Sequence, residues 1–87
     1  MRGEITQHGG LFLKFISPSM AGVPDRIAIT AEGRIIFVEL KRDGGKISPV
    51  QRYVHKLLRQ RHVEVRTVIG MKEGMELVKE VFGGDAK

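Results

Sequence analysis

A chain of 87 residues with a formal net charge of +5 and no cysteine makes one small domain with a thin core. It excludes disulfide staples and thiolate metal sites. Charge interrupts every apolar stretch, so no segment is expected to span a membrane, and no apolar signal core follows Met1-Arg2-Gly3-Glu4.

The opening ten residues are polar and end in Gly9-Gly10, which allows a short helix at most. Leu11 to Ile16 reads as a first strand, with Leu11, Leu13 and Phe15 on one face and Phe12, Lys14 and Ile16 on the other. Ser17 to Pro24 is a loop by its serine, proline and glycine content. Asp25 to Thr30 and Arg34 to Lys41 are the second and third strands, joined by Ala31-Glu32-Gly33. Arg42 to Lys46 is a loop. Ser48-Pro49 then reads as an N-cap and first helical residue, opening a helix to about His62 with a stripe of Val50, Val54, Leu57, Leu58 and Arg61. Gln51 borders that stripe. Val63 to Ile69 is a fourth strand, and Met71 to Phe82 a second long helix with Met75, Val78 and Phe82 expected in the core.

The order is β-β-β-α-β-α, an α/β fold on a mixed four-stranded sheet flanked by helices. Residues 1–82 form the domain, and Gly83 to Lys87 read as a frayed tail. Strands three and four, joined through a helix, should be parallel and the crossover right-handed. Two long helices leave part of the sheet uncovered, which favours a homodimer.

The hairpin register follows from its loop. A three-residue connection commonly ends in a left-handed glycine, and Gly33 stands at that place. Thr30 then pairs with Arg34, Ile29 faces Ile35, Ile27 faces Phe37 and Asp25 faces Glu39, with Lys41 next along the same side. Opposed side chains have Cβ atoms ~5 Å apart, and like charges there are destabilising. A hard divalent cation, Mg²⁺ or Mn²⁺, removes that penalty. The plainer alternative is a turn-end aspartate beside a solvated Glu39–Lys41 pair.

Gly22-Val23-Pro24-Asp25-Arg26 followed by Phe37-Val38-Glu39-Leu40-Lys41 resembles the PD-(D/E)XK nuclease superfamily, and within it the VRR-NUC (virus-type replication-repair nuclease) domain. Lys14-Phe15, Ser17-Pro18, Gly44-Gly45-Lys46, Ser48-Pro49 and Gln51 extend the likeness over about residues 9 to 70. The resemblance implies a restriction-endonuclease-like sheet and a metal-dependent DNA endonuclease. Asp25, Glu39 and the main-chain carbonyl of Leu40 would hold Mg²⁺ or Mn²⁺. Lys41 would orient or help deprotonate the attacking water or stabilise the phosphate, and Gln51 would hold the water or the site. Standalone viral members resemble homodimers acting on branched, Holliday-junction-like DNA. One departure stands out. Family members carry a longer first helix with a glutamate that completes the metal site, and here Glu4 is the sole candidate.

The net charge independently points to an anionic partner, nucleic acid before an acidic protein. Arg26, Arg42 and Lys46 flank the proposed site as phosphate contacts, with Lys14 a further candidate. His8, His55 and His62 share no metal spacing and are expected at the surface, as are Arg52, Lys56 and Arg59 on the outer side of the long helix. The expected partner is DNA, no membrane is involved, and the absence of cysteine fits the cytoplasm, that of a host cell if the protein is viral. A non-catalytic DNA-binding module on a nuclease scaffold is the alternative, which the short N-terminus motivates.

Overall fold

The computed structural model of the chain describes residues 1–82. The tail at 83–87 lies outside the described residues. Seven elements follow one another: α1 (Arg2–Gln7), β1 (Leu11–Lys14), β2 (Arg26–Ile29), β3 (Ile35–Lys41), α2 (Pro49–Gln60), β4 (Val65–Ile69) and α3 (Gly70–Val81). The sheet runs β1-β2-β3-β4. The first three strands are antiparallel, and β3 and β4 are parallel, so the sheet is mixed as the connections require.

The hairpin has the register its loop dictates. Ile29 pairs with Ile35 and Ile27 with Phe37. The Gly33 N–H donates to the Thr30 carbonyl at 3.0 Å, with Gly33 at φ +94, the conformation that favours glycine. Strand alternation then sorts the faces. Phe12, Ala28, Ile36 and Val38 point to one side and form the core with Ile5 of α1 and with Leu77 and Val78 of α3. α2 packs on the other side through Val54 and His55. It covers the Glu39 end of that face and leaves Leu11, Leu13 and Ile35 exposed.

One side-chain expectation changes. Met75, read as core from its helical spacing, is 65% exposed, and Met71 is more exposed still. α3 turns Gly74, Leu77 and Val78 inward instead. Gly74 lies so close to Met1 and Val68 that a Cβ there would sit 3.2 Å from the Met1 side chain. The missing side chain at 74 therefore sets the face that α3 buries. Outside the core, Arg34 grips Glu64 with two bonds of 2.9 and 2.6 Å, and Arg66 grips Glu80 of α3 at 2.9 and 2.7 Å. These pairs are exposed, so each contributes at most about 1 kcal/mol.

Candidate active site

Asp25 stands one residue before β2, where the ladder ends. Its carbonyl accepts the Phe15 N–H at 2.9 Å, and its carboxylate oxygen Oδ1 accepts the Leu40 N–H at 3.2 Å. The Arg26 guanidinium lies 3.4 Å from Oδ2. Backbone N–H groups of Phe15, just after β1, and of Leu40 in β3 thus fix the aspartate at the position that the register puts opposite Glu39.

Glu39 is a carboxylate at 3% exposure. The Gln51 side chain donates to its Oε2 at 3.3 Å, and the Lys41 ammonium is 3.9 Å from the same oxygen. Its other oxygen, Oε1, has no hydrogen bond among the described residues. Burial, and then the Asp25 charge, push the Glu39 pKa above the usual carboxylate range, with Lys41 and Arg26 pulling the other way. In the unfolded chain Glu39 releases its proton at the ordinary value; in the folded chain it keeps it to higher pH. The stability that Glu39 contributes is therefore full below the ordinary value and is lost as pH rises through the raised one. In EDTA, wild type should lose melting temperature across that rise relative to Glu39→Gln. Parallel pH profiles for the two proteins in thermal melts would contradict the assignment.

Gln51 reaches Glu39 because the start of α2 holds it. Ser48 caps the helix, its Oγ accepting the Gln51 N–H at 3.1 Å, while Gln51 Oε1 accepts the Ser48 N–H at 2.9 Å. With the amide oxygen engaged by the cap, its NH₂ is turned to the carboxylate. The capping pattern Ser48-x-x-Gln51 is visible in the sequence, and it orients the side chain whose functional role the resemblance implies.

Gly22 seats the Pro24-Asp25 loop against this helix. It has φ +90, and a Cβ there would come within 2.9 Å of the Val50 carbonyl and 3.0 Å of the Val54 side chain. Gly22→Ala should lose roughly 2–6 kcal/mol, from left-handed strain of about 1–3 kcal/mol and overpacking of similar size. Urea unfolding measures this, and an unchanged midpoint would contradict it.

A cleft of about 880 Å³ runs between α1 and α3, and Glu4, Asp25, Arg26, Leu40, Lys41 and Arg42 all line it. Glu4 therefore shares a cleft with Asp25. Its carboxylate lies 3.2 Å from the Met1 ammonium, and its own backbone N–H and that ammonium hold its pKa below the usual range. Among the described residues no group of three or more His, Cys, Asp or Glu residues is placed to hold a metal ion. Lys14 does not line this cleft; it borders a smaller depression with Arg2 and Thr6. Lys46 is exposed on the loop before α2 and lines neither. His8 and His62 are exposed as expected, but His55 is not. It is 1% exposed, with Nε2 3.6 Å from Glu39 Oε1. Burial, then Arg59 and Lys41, lower its pKa, so the ring is a neutral neighbour of Glu39 and not its ion-pair partner. The signal for it was its position four residues after Gln51, on the same helical face.

The donor set suits a hard divalent cation. Asp25 and Glu39 offer carboxylate oxygens, burial and then the Asp25 charge raise the Glu39 pKa, and one Glu39 oxygen is buried without a hydrogen bond among the described residues.

No family model matches the sequence. Over 55 residues the chain is 46% identical to "Putative nuclease p44" of Acyrthosiphon pisum secondary endosymbiont phage 1. That match takes in 63% of this chain and spans 59% of the phage protein's length. A solved structure described as a VRR_NUC domain superposes with a TM-score of 0.72 at 28% identity, covering 93% of this chain and 96% of that one. With its mixed four-stranded sheet and the Pro-Asp…Glu-x-Lys residues at its central hairpin, the chain has the fold of the VRR_NUC domain, and the two likenesses together support a PD-(D/E)XK-type viral nuclease assignment.

Proposed function

We propose that this domain is a Mg²⁺- or Mn²⁺-dependent endonuclease that hydrolyses phosphodiester bonds in DNA. The observation that carries the reading is a buried Glu39 carboxylate within reach of the Asp25 charge at the end of one hairpin, with Lys41 3.9 Å from Glu39. Asp25, Glu39 and the Leu40 carbonyl would hold the cation; Glu4 lines the cleft that Asp25, Leu40 and Lys41 line, while Glu39 lies outside its lining. When bound, the cation supplies Lewis acidity to a phosphoryl oxygen and lowers the pKa of water. Lys41 contributes positive charge where the phosphate gains negative charge. Gln51 keeps Glu39 in place through its 3.3 Å bond. Arg26 and Arg42, in the cleft wall, hold the DNA backbone, with Lys46 and Lys14 further out.

The uncovered sheet face bearing Leu11, Leu13 and Ile35 supports a homodimer, and two sites at fixed spacing would select branched DNA. A second reading, a DNA-binding module without catalysis, is favoured by the ion pair that engages Glu4. Linear, flap, fork and four-way junction DNAs incubated with Mg²⁺ or Mn²⁺ separate the two. Metal-dependent cutting, strongest on branched substrates and lost in Asp25→Asn, supports the nuclease. Salt-sensitive binding without cutting of any substrate supports the module.

A further inference from the structure

α2 offers Glu39 two polar side chains. Gln51 and His55 are one helical turn apart and occupy the same face. Gln51 Nε2 donates to Glu39 Oε2, and His55 Nε2 lies 3.6 Å from Oε1. His55 and Glu39 are both almost wholly buried. Oε1 and both ring nitrogens lack a hydrogen-bond partner among the described residues. Burying a carboxylate oxygen and an imidazole N–H separately is unfavourable, because each loses water without replacement. Placed side by side, one contact a few tenths of an ångström shorter, roughly the ordinary N–H···O range, satisfies both. A residue needed only to fill space at this position would be apolar, as Val54 beside it is.

We propose that His55 is a positioning residue for the metal site: its Nε2–H holds Oε1 of Glu39 as Gln51 holds Oε2, so that one face of α2 fixes the orientation of the carboxylate. The inference rests on the metal-dependent reading above. Each carboxylate oxygen has two lone-pair directions, so a hydrogen bond from the helix leaves the second for a cation. His55 contacts neither DNA nor metal in this account. It acts through Glu39, as hydrogen-bonded partners of ligating carboxylates do elsewhere.

Titration calorimetry with Mn²⁺ on wild type, His55→Leu and His55→Gln tests it, alongside circular dichroism and cleavage rates at rising Mn²⁺. His55→Leu should weaken Mn²⁺ binding roughly tenfold to a hundredfold while staying folded, and high Mn²⁺ should restore its cleavage. Gln places an amide N–H near the Nε2 position, so His55→Gln should bind Mn²⁺ close to wild type. A folded His55→Leu that binds Mn²⁺ as tightly as a Mn²⁺-binding wild type overturns the role of His55 and leaves the nuclease reading standing. Wild-type protein that binds no Mn²⁺ overturns the nuclease reading itself. Should His55→Leu fail to fold, nitrogen NMR of the wild-type ring decides. A proton on Nε2 is expected, and a proton on Nδ1 alone, with a bare Nε2 facing Glu39, overturns the proposal.

Discussion

Glu39→Gln should reduce DNA cleavage by about a thousandfold or more while leaving the domain folded. The substitution keeps the size of the side chain and removes the charge that, in the proposed reading, would hold the cation. Losing a metal ligand removes several kcal/mol of transition-state stabilisation, and each ~1.4 kcal/mol is a factor of ten in rate. The fold should tolerate the change for the reason the site exists. Glu39 is buried, and its ionised form is disfavoured by burial and by Asp25. A neutral amide removes that strain, so metal-free Glu39→Gln should melt no lower than metal-free wild type near neutral pH. An inactive variant that is also unfolded would say nothing about catalysis, so the melt and the rate belong together. Full activity in folded Glu39→Gln would refute the assignment of this carboxylate.

Lys41→Ala should give the second largest loss, about a hundredfold to a thousandfold in cleavage, with Mn²⁺ affinity kept or improved. Its ammonium is near Glu39 Oε2 but not at hydrogen-bond distance, and the side chain lines the cleft beside Asp25 and Arg42. That places its charge for the phosphate more than for the carboxylate. Removing a cation next to a cation site lessens repulsion there, which separates this variant from Glu39→Gln. Loss of Mn²⁺ binding together with cleavage would show that Lys41 supports the ligands instead. Unimpaired cleavage would remove it from the chemistry.

The hairpin was legible because a single short loop dictates it. With glycine at the third position of Ala31-Glu32-Gly33, every cross-strand pair follows, and the observed pairing of Ile27 with Phe37 and Ile29 with Ile35 is the one the loop implies. The parallel placement of β4 was legible for a similar reason, since a helix between two strands of one sheet carries the chain back to the same end. Helix faces were harder. The apolar stripe through Val50, Val54, Leu57, Leu58 and Arg61 suggested that His55 faces outward, yet α2 turns Val54 and His55 to the sheet and leaves Val50 exposed. A buried carboxylate on the sheet gives a polar side chain a place on the inner face, and hydrophobic periodicity cannot register that. Met75 failed on the other side of the same rule. Methionine is apolar enough for a core, but Gly74 allows α3 to approach Val68 closely and rotates Met71 and Met75 toward the cleft.

The placement of Glu4, the candidate third carboxylate, was the least legible in the sequence. α1 has six residues and a single buried side chain, Ile5. A helix this short has little stability of its own, so where Glu4 points depends on how Ile5 docks in the core. Docking brings Glu4 to the cleft that Asp25 lines, a placement no spacing along the chain could have supplied.

The most direct test of the central claim is a Mn²⁺ titration followed by electron paramagnetic resonance on wild type, Asp25→Asn and Glu39→Gln, each checked for folding by circular dichroism. A divalent-cation site built on Asp25 and Glu39 predicts saturable binding in wild type and its loss in each single variant. Binding of equal strength in all three proteins, or none in wild type, would contradict it.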